Sequence, residues 1–369
     1  MGIGMLDGGM TGAAAKACSR GVMGVSPLLR TRQVLVLQIG RFAWAGANER
    51  CGVNFEVWPE AIELGQMFAD EGFELALVGG PVRDLLLHRR SHDLDFCSNA
   101  RPEQFEPILR RFGHDGFWDM GRKFGTLGAM RRRPDGTEVK VEVTTYRSDV
   151  YDPDSRKPEV SYGDSLEGDL SRRDFTVNAM ALTVPDLEFV DPFGGANDLN
   201  KRVLRTPVDP YQSFDDDPLR MMRAVRFVAQ LGFSIEPETA EAITRMTDRI
   251  EIVSAERVRD ELTKLLLSDR PRAGIEALVD SGLADVVLPE IPALRLEIDE
   301  HHRHKDVFDH TMIVVDRAVA LETGPDGPVP APDLVLRLAA LMHDIGKPKT
   351  RRFEPGGKVS FHHHDAVGA

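Results

Sequence analysis

Between Leu75 and Phe96 the chain changes character four times, and no other stretch limits its fold as tightly. The apolar run Leu75-Ala-Leu-Val78 predicts a buried strand ending at Gly79-Gly80, where only glycine lets the backbone turn and still admits a close ligand. Pro81 then opens a short helix over Val82 to His88, whose first N–H groups and positive end suit phosphate. Asp93 and Asp95 follow in an extended segment, on one face and roughly 7 Å apart at Cα. Two carboxylates so placed repel unless a cation joins them, and hard oxygen ligands of this kind suit Mg²⁺ carrying substrate phosphates. A glycine turn or an Asp-x-Asp alone is commonplace; their close succession carries the information.

The rest of the chain can be sorted around this stretch. With 369 residues there is material for two or three globular units. No apolar run approaches the roughly 18 residues of a membrane span, so no membrane partner is expected. A formal net charge of −13 excludes indiscriminate nucleic-acid binding by the whole surface and confines any such role to a local basic face. Cys18, Cys51 and Cys97 have no metal-binding spacing and suit a reduced, cytoplasmic compartment. Residues 1–56, rich in Gly, Ala and Arg, read as a disordered extension despite the short run Val34-Leu-Val-Leu37.

From Trp58 a helical stripe (Ala61, Ile62, Leu64, Met67, Phe68) opens the folded part. Pro102 to Phe112 predicts a helix, Gly125 to Met130 a strand, Arg131 to Gly136 a turn, and Thr137 to Tyr146 an alternating strand. Glu142 falls on the polar face of that strand, either as a third carboxylate beside Asp93 and Asp95 or as a solvated side chain. Arg172 and Arg173 precede an apolar run; their guanidinium forks match phosphate oxygens, and equally match a structural aspartate. Strand signals fade after Asp191-Pro-Phe-Gly-Gly195, which puts a boundary near 205.

Asp217-Pro-Leu-Arg220 starts a helix in which Arg220, Arg223 and Arg226 recur every three residues, drifting only about 60° per step. Asp217 is a natural cap, but capping does not account for three arginines near the positive helix end, and the pattern calls for an anion. A carboxylate accepting from an exocyclic amine and an arginine donating to a ring nitrogen would suit C and A while leaving U and G unpaired. Asp217 and Arg220 could read bases in that way.

Gly79-Gly80-Pro-Val-Arg83-Asp84, Asp93-x-Asp95, Arg172-Arg173-Asp174-Phe-Thr-Val-Asn178, Asp216-Asp217-Pro-Leu-Arg220 and Glu256-Arg-Val-Arg-Asp-Glu-Leu262 occur in order. Together they resemble the bacterial tRNA nucleotidyltransferase and poly(A) polymerase family. The resemblance implies an α+β protein: a polymerase-β-like head with a mixed sheet (57–205), an all-α neck (206–295), and a partial HD domain (296–369). It implies Mg²⁺-dependent, template-independent addition of C, C and A to a tRNA 3′ end from CTP and ATP. In that chemistry the 3′-hydroxyl attacks the α-phosphorus, one metal lowers its pKa and another stabilises the departing pyrophosphate. Asp93 and Asp95 would hold Mg²⁺, with Glu142 as the third catalytic candidate. Gly80, Arg83, Arg172, Asp217, Arg220, Arg223 and Arg226 would contact the nucleotide. The chain departs from the family at His88, where Gly is usual, and at Asp216, where Glu is usual.

Histidines cluster from residue 301 on: His301-His-Arg-His304, His310, His343-Asp344-Ile-Gly-Lys-Pro348 and Phe361-His-His-His364. They resemble the HD superfamily of phosphohydrolases, with His310, His343, Asp344 and His364 as ligands for a divalent transition metal. The sequence ends soon after Asp365, so a truncated site and exposed apolar helix faces are expected. Three alternatives stay open: a poly(A) polymerase, an enzyme working mainly through its HD part, and a non-catalytic RNA-binding protein. Oligomeric state is not encoded in these motifs.

Overall fold

A computed structural model describes residues 35–37, 53–55, 57–89, 91, 93–147, 163, 165–296, 306–324, 329–355 and 358–369. Of the leading segment, strands β1 (Leu35–Leu37) and β2 (Val53–Phe55) pair antiparallel; the remainder of the extension read over 1–56 lies outside the described residues, as does His301–His304.

Helix α1 (Pro59–Asp70) leads into β3 (Leu75–Val78), all four of whose residues are buried, and then α2 (Gly80–Leu86). Next come β4 (Asp93–Ser98), α3 (Pro102–Phe112), β5 (Gly116–Trp118), β6 (Thr126–Arg132) and β7 (Glu138–Thr145). α4 (Leu166–Ser171), β8 (Ala181–Val184) and β9 (Phe189–Val190) complete the head. Its seven strands form one sheet in the order β5-β6-β7-β4-β3-β8-β9. The sheet is mixed: β4 and β7 run parallel and every other neighbouring pair is antiparallel.

Alternation decides the faces. Val139, Val141 and Val143 of β7 point into the core with Leu94 and Phe96 of β4, while Asp93, Asp95, Lys140 and Glu142 stay exposed. Helices α1 and α3 cover the apolar face, with Phe68 and Phe105 at 6.0 Å between ring centroids. Gly65 lets α1 lie against the end of β8, because a Cβ there would come 2.6 Å from the Val184 carbonyl carbon. β6 runs two residues past the predicted strand, into the predicted turn. Its end is held by ion pairs, Arg131 with Glu63, Arg132 with Glu138 and Arg133 with Glu60, so this arginine triplet is internally neutralised rather than a basic patch.

Beyond the sheet come α5 (Gly195–Lys201), β10 (Val203–Leu204), α6 (Pro210–Asp216), α7 (Leu219–Leu231), β11 (Ser234–Ile235), α8 (Pro237–Arg245), α9 (Ala255–Leu266), α10 (Pro271–Asp280) and α11 (Leu283–Val287). α7 packs on α9 and α10, with Met221, Met222 and Val225 fully buried. The last part contains α12 (Val307–Leu321), α13 (Leu334–Met342), α14 (Lys347–Thr350), the hairpin β12 (Arg352–Glu354) with β13 (Lys358–Ser360), and α15 (His364–Gly368). Neck and HD region are therefore mainly helical but not purely so: β10 pairs with β11 across the expected boundary, and β12 with β13. Leu321, Val335, Phe353 and Val367 of this last part are exposed. Among the described residues, no helix is long and apolar enough to cross a membrane.

Candidate active site

The polar side of the sheet, next to the glycine turn, collects the predicted carboxylates. Parallel pairing of β4 with β7 sets Asp95 opposite Glu142 and Asp93 opposite Lys140. The Asp95 carboxyl is pushed above its usual range, first by the protein packed around it, although its surface stays accessible, and then by the Glu142 charge. Asp93 adds to the effect and Arg173 opposes it. Repulsion among accessible oxygens that Arg173 only partly offsets fits a hard divalent cation. The three carboxylates are spread: among the described residues, the one group of three His, Cys, Asp or Glu ligand atoms lying within 4.8 Å of each other is elsewhere, at His310, His343 and Asp344. Trp118 of β5 donates its indole N–H to Glu142 Oε1 at 3.2 Å.

Gly79 adopts φ +72°, the left-handed turn that its type was expected to supply. A Cβ there would stand 2.9 Å from Arg173 Nη1, so this guanidinium lies directly under the turn. Gly80 is the first residue of α2, and Arg83 on that helix is buried, donating to Asp84 Oδ1 (2.9 Å) and Asn178 Oδ1 (2.7 Å). Arg172 and Arg173 both donate to the buried Asp169, at 2.8 and 3.0 Å. Burial works against that carboxylate's charge, but the two guanidinium charges and their hydrogen bonds hold its pKa below the usual range. The buried Arg173 Nε finds no acceptor among the described residues.

The arginine stripe has mostly internal partners. Arg223 donates through Nε to Asp174 Oδ2 at 2.8 Å, and Arg226 through Nε to Glu261 Oε2 at 2.5 Å. The anion that the stripe called for is thus supplied at two of three positions by carboxylates of the chain itself. Those partners lie 49 and 35 residues away, beyond the reach of a local pattern. Arg220 is held by neutral acceptors, Ser213 Oγ (2.7 Å) and the Arg172 carbonyl (2.5 Å). This second bond ties α7 to the segment bearing Arg172 and Arg173. Asp217 is not the cap expected of it, since Pro218 holds that position and Asp217 closes α6; its side chain accepts from the Leu219 N–H at 3.2 Å and faces Arg257 at 3.5 Å. Arg83, Arg223 and Arg226 all lie over the Phe227 ring, at 5.5, 5.7 and 4.2 Å from its centroid, so side chains of head and neck meet on one ring. Asp169, Asp174, Glu261 and Trp118 were not singled out for roles from sequence. The first three lay inside or beside quoted motifs and carried the signal of buried acid near arginine.

In the HD part, Asp344 is buried and meets His343 Nε2 (3.0 Å), His364 Nε2 (3.5 Å) and His310 Nε2 (3.8 Å). His343 Nδ1 lies 2.8 Å from the Ala340 carbonyl and His364 Nδ1 2.9 Å from that of Phe361. Each Nδ1–H is thereby engaged, and the Nε2 lone pair is aimed inward, the usual setting of a metal-ligating imidazole. The donor set fits a divalent transition metal, with His364 outside the tightest group. Lys347 Nζ, 2.6 Å from Asp344 Oδ2, competes for one ligand oxygen.

A glycine turn beside paired sheet carboxylates, walled by an arginine-bearing helix from a second unit, defines the class: a polymerase-β-like nucleotidyltransferase head on a helical neck. Residues 75–205 match the poly A polymerase head domain, 232–294 the probable RNA and SrmB-binding site of polymerase A, and 307–369 the HD domain. In the order of these three regions the chain is similar to the tRNA nucleotidyltransferase and poly(A) polymerase family. A CCA-adding enzyme of Lactobacillus johnsonii is 36% identical over 241 residues, 65% of this chain and 57% of that protein. The crystal structure of the Bacillus stearothermophilus CCA-adding enzyme in complex with CTP superposes with a TM-score of 0.56 at 34% identity, covering 65% of this chain and 57% of that one. A tRNA nucleotidyltransferase complexed with a primer tRNA and an incoming ATP analog gives 0.52 at 26% identity, covering 68% and 74%. The chain spans just over half the length of the curated relatives it matches.

Proposed function

We propose that this protein adds C, C and A to the 3′ end of tRNA without a template, using CTP and ATP. The observation that carries the reading is the register that sets Asp95 opposite Glu142 beside the Gly79 turn, with Arg220 of α7 bonded to the Arg172 carbonyl. Relatives and neighbours named as CCA-adding enzymes, one in complex with CTP, support it.

In this reading Asp93, Asp95 and Glu142 hold Mg²⁺, which when bound lowers the pKa of the attacking 3′-hydroxyl and neutralises the departing pyrophosphate. The residues of the chain position the reactants. Gly79 and Gly80 let the triphosphate approach the backbone, and Arg83 and Arg172 place positive charge beside it. Arg220, Arg223 and Arg226 fix the wall against which the nucleotide lies. Asp217 and Arg220 accept bases that offer an amine beside a ring acceptor, which leaves U and G with unpaired groups. No covalent intermediate on the protein is required. Domain limits of 57–205, 206–295 and 296–369 describe the division of labour, and the working compartment is the cytoplasm.

The test supplies purified protein with tRNA lacking its terminal CCA, plus CTP and ATP. Incorporation of C, C and A that vanishes in Asp93→Ala with Asp95→Ala is expected. Homopolymeric A tails on any RNA would replace the reading with a poly(A) polymerase. The His310, His343 and Asp344 group favours a second, separate hydrolytic activity on phosphate esters. Phosphatase turnover that persists in the double aspartate variant and is lost in His343→Ala would establish it.

A further inference from the structure

We propose that Trp118 is a positioning residue for the Glu142 carboxylate, reaching it across β6 through the gap left by Gly128. The inference rests on the reading of Asp93, Asp95 and Glu142 as the acid group that serves nucleotide transfer.

Four adjacent strands put the parts in one row. Trp118 in β5 lies opposite Gly128 in β6, Gly128 opposite Glu142 in β7, and Glu142 opposite Asp95 in β4. Residues directly opposite one another share a face of the sheet. With neighbouring strands about 4.8 Å apart, the Trp118 and Glu142 backbones stand roughly 10 Å apart, two strand spacings. An indole can bridge that interval only if no side chain rises from the strand between. Gly128 supplies the gap: a Cβ there would fall 2.0 Å from Cε2, 2.2 Å from Nε1 and 2.3 Å from Cζ2 of Trp118. The ring therefore rests on the Gly128 backbone, and its Nε1–H meets Glu142 Oε1 at 3.2 Å. An indole N–H donates and cannot accept, so Oε1 is the accepting atom of this contact. Fixing Oε1 in this way restricts the rotation of an exposed glutamate and leaves Oε2 available to a cation.

Donors that orient a ligating carboxylate typically change metal affinity or activity on the order of tenfold or more when removed. Trp118→Phe keeps the ring and deletes the N–H, and Gly128→Ala expels the ring. Each is expected to lower kcat for CMP incorporation on the order of tenfold with the KM for CTP unchanged within about twofold. A similar factor should appear in Mn²⁺ affinity, read by paramagnetic titration of nucleotide-free protein in a His343→Ala background that disables the HD group. In a Glu142→Gln background, Trp118→Phe should have no further effect on Mn²⁺ affinity. Unchanged Mn²⁺ affinity and kcat in a folded Trp118→Phe protein, with incorporation abolished by Glu142→Gln, would overturn the positioning role and leave the transfer reading intact. An equal loss of affinity whether or not Glu142 is present would reduce Trp118 to a packing residue. Full incorporation by Glu142→Gln would remove the carboxylate's role and the inference with it.

Discussion

His88 turns the chain out of α2 at φ +56°, where a Cβ crowds the backbone and glycine alone is unstrained. His88→Gly is therefore expected to stabilise the protein by up to about 1 kcal/mol, the relief of strain exceeding the extra freedom that glycine gives the unfolded chain. Urea unfolding at neutral pH measures it, and a lowered midpoint would mean that the imidazole's contacts outweigh the strain. Asp174 makes the opposite case, a residue whose environment favours its charge. Burial opposes ionisation, but the Arg223 charge and hydrogen bonds from Asn178, Arg223 and the Phe175 N–H lower the carboxyl to about 2. A folded-state pKa below the unfolded value of about 3.9 gives stability that is present in full above the unfolded value and lost as pH falls towards 2. The difference corresponds to roughly 2 to 3 kcal/mol at neutral pH. Asp174→Asn should be less stable than the parent by about that amount at pH 7, with the gap closing as both are titrated towards pH 2.

At the scale of elements, features fixed by neighbours in the chain are legible in the sequence, and features fixed by distant partners are not. Helix α3 spans Pro102–Phe112 as expected because its limits are local: Pro102 in the first turn, Phe105, Ile108, Leu109 and Phe112 on one buried face, and Gly113 after it. The polar and apolar faces of β4 and β7 follow from alternation alone, so Asp93, Asp95 and Glu142 could be assigned to one side before any pairing was known. Register is a tertiary property, and nothing in Gly116-Phe-Trp118 announces that its indole crosses a glycine in the next strand to reach Glu142. Likewise the spacing of Arg220, Arg223 and Arg226 was legible, whereas their acceptors were not. Arg226 pairs with Glu261 only because α9 packs against α7, and Arg223 with Asp174 only because the segment between α4 and β8 meets α7. A basic stripe in sequence records that negative charge must be near, without saying whether ligand or protein brings it.

For the whole molecule, the issue is how the HD part is held to the unit that carries the arginine helix. Arg337 of α13 is buried, and both its ends are engaged. Nε and Nη2 donate to the two oxygens of Glu322 at 2.7 Å each, while Nη1 donates to the Leu266 and Ser268 carbonyls at 2.5 and 2.7 Å. Those carbonyls sit at the C-terminal end of α9, where a cation also meets the negative end of the helix dipole. One guanidinium thus closes the last turn of the neck helix that bears Glu261 and neutralises a buried acid from the HD side. Removing one partner of a buried ion pair leaves the other uncompensated, which costs about 3 kcal/mol or more. In Arg337→Ala that loss should fall on the join between the two parts. Amide exchange is expected to accelerate across α12, α13 and the end of α9, while β3, β4 and β7 keep their protection. Replacing both partners, Arg337→Met with Glu322→Leu, should recover most of the stability, because it removes the stranded charge as well as the pair. Uniform loss of protection in head and HD part alike would mean that they unfold as one cooperative unit and that the clasp is not a hinge between two. Protection unchanged everywhere would mean that α10 packing on α12 holds the HD part without it.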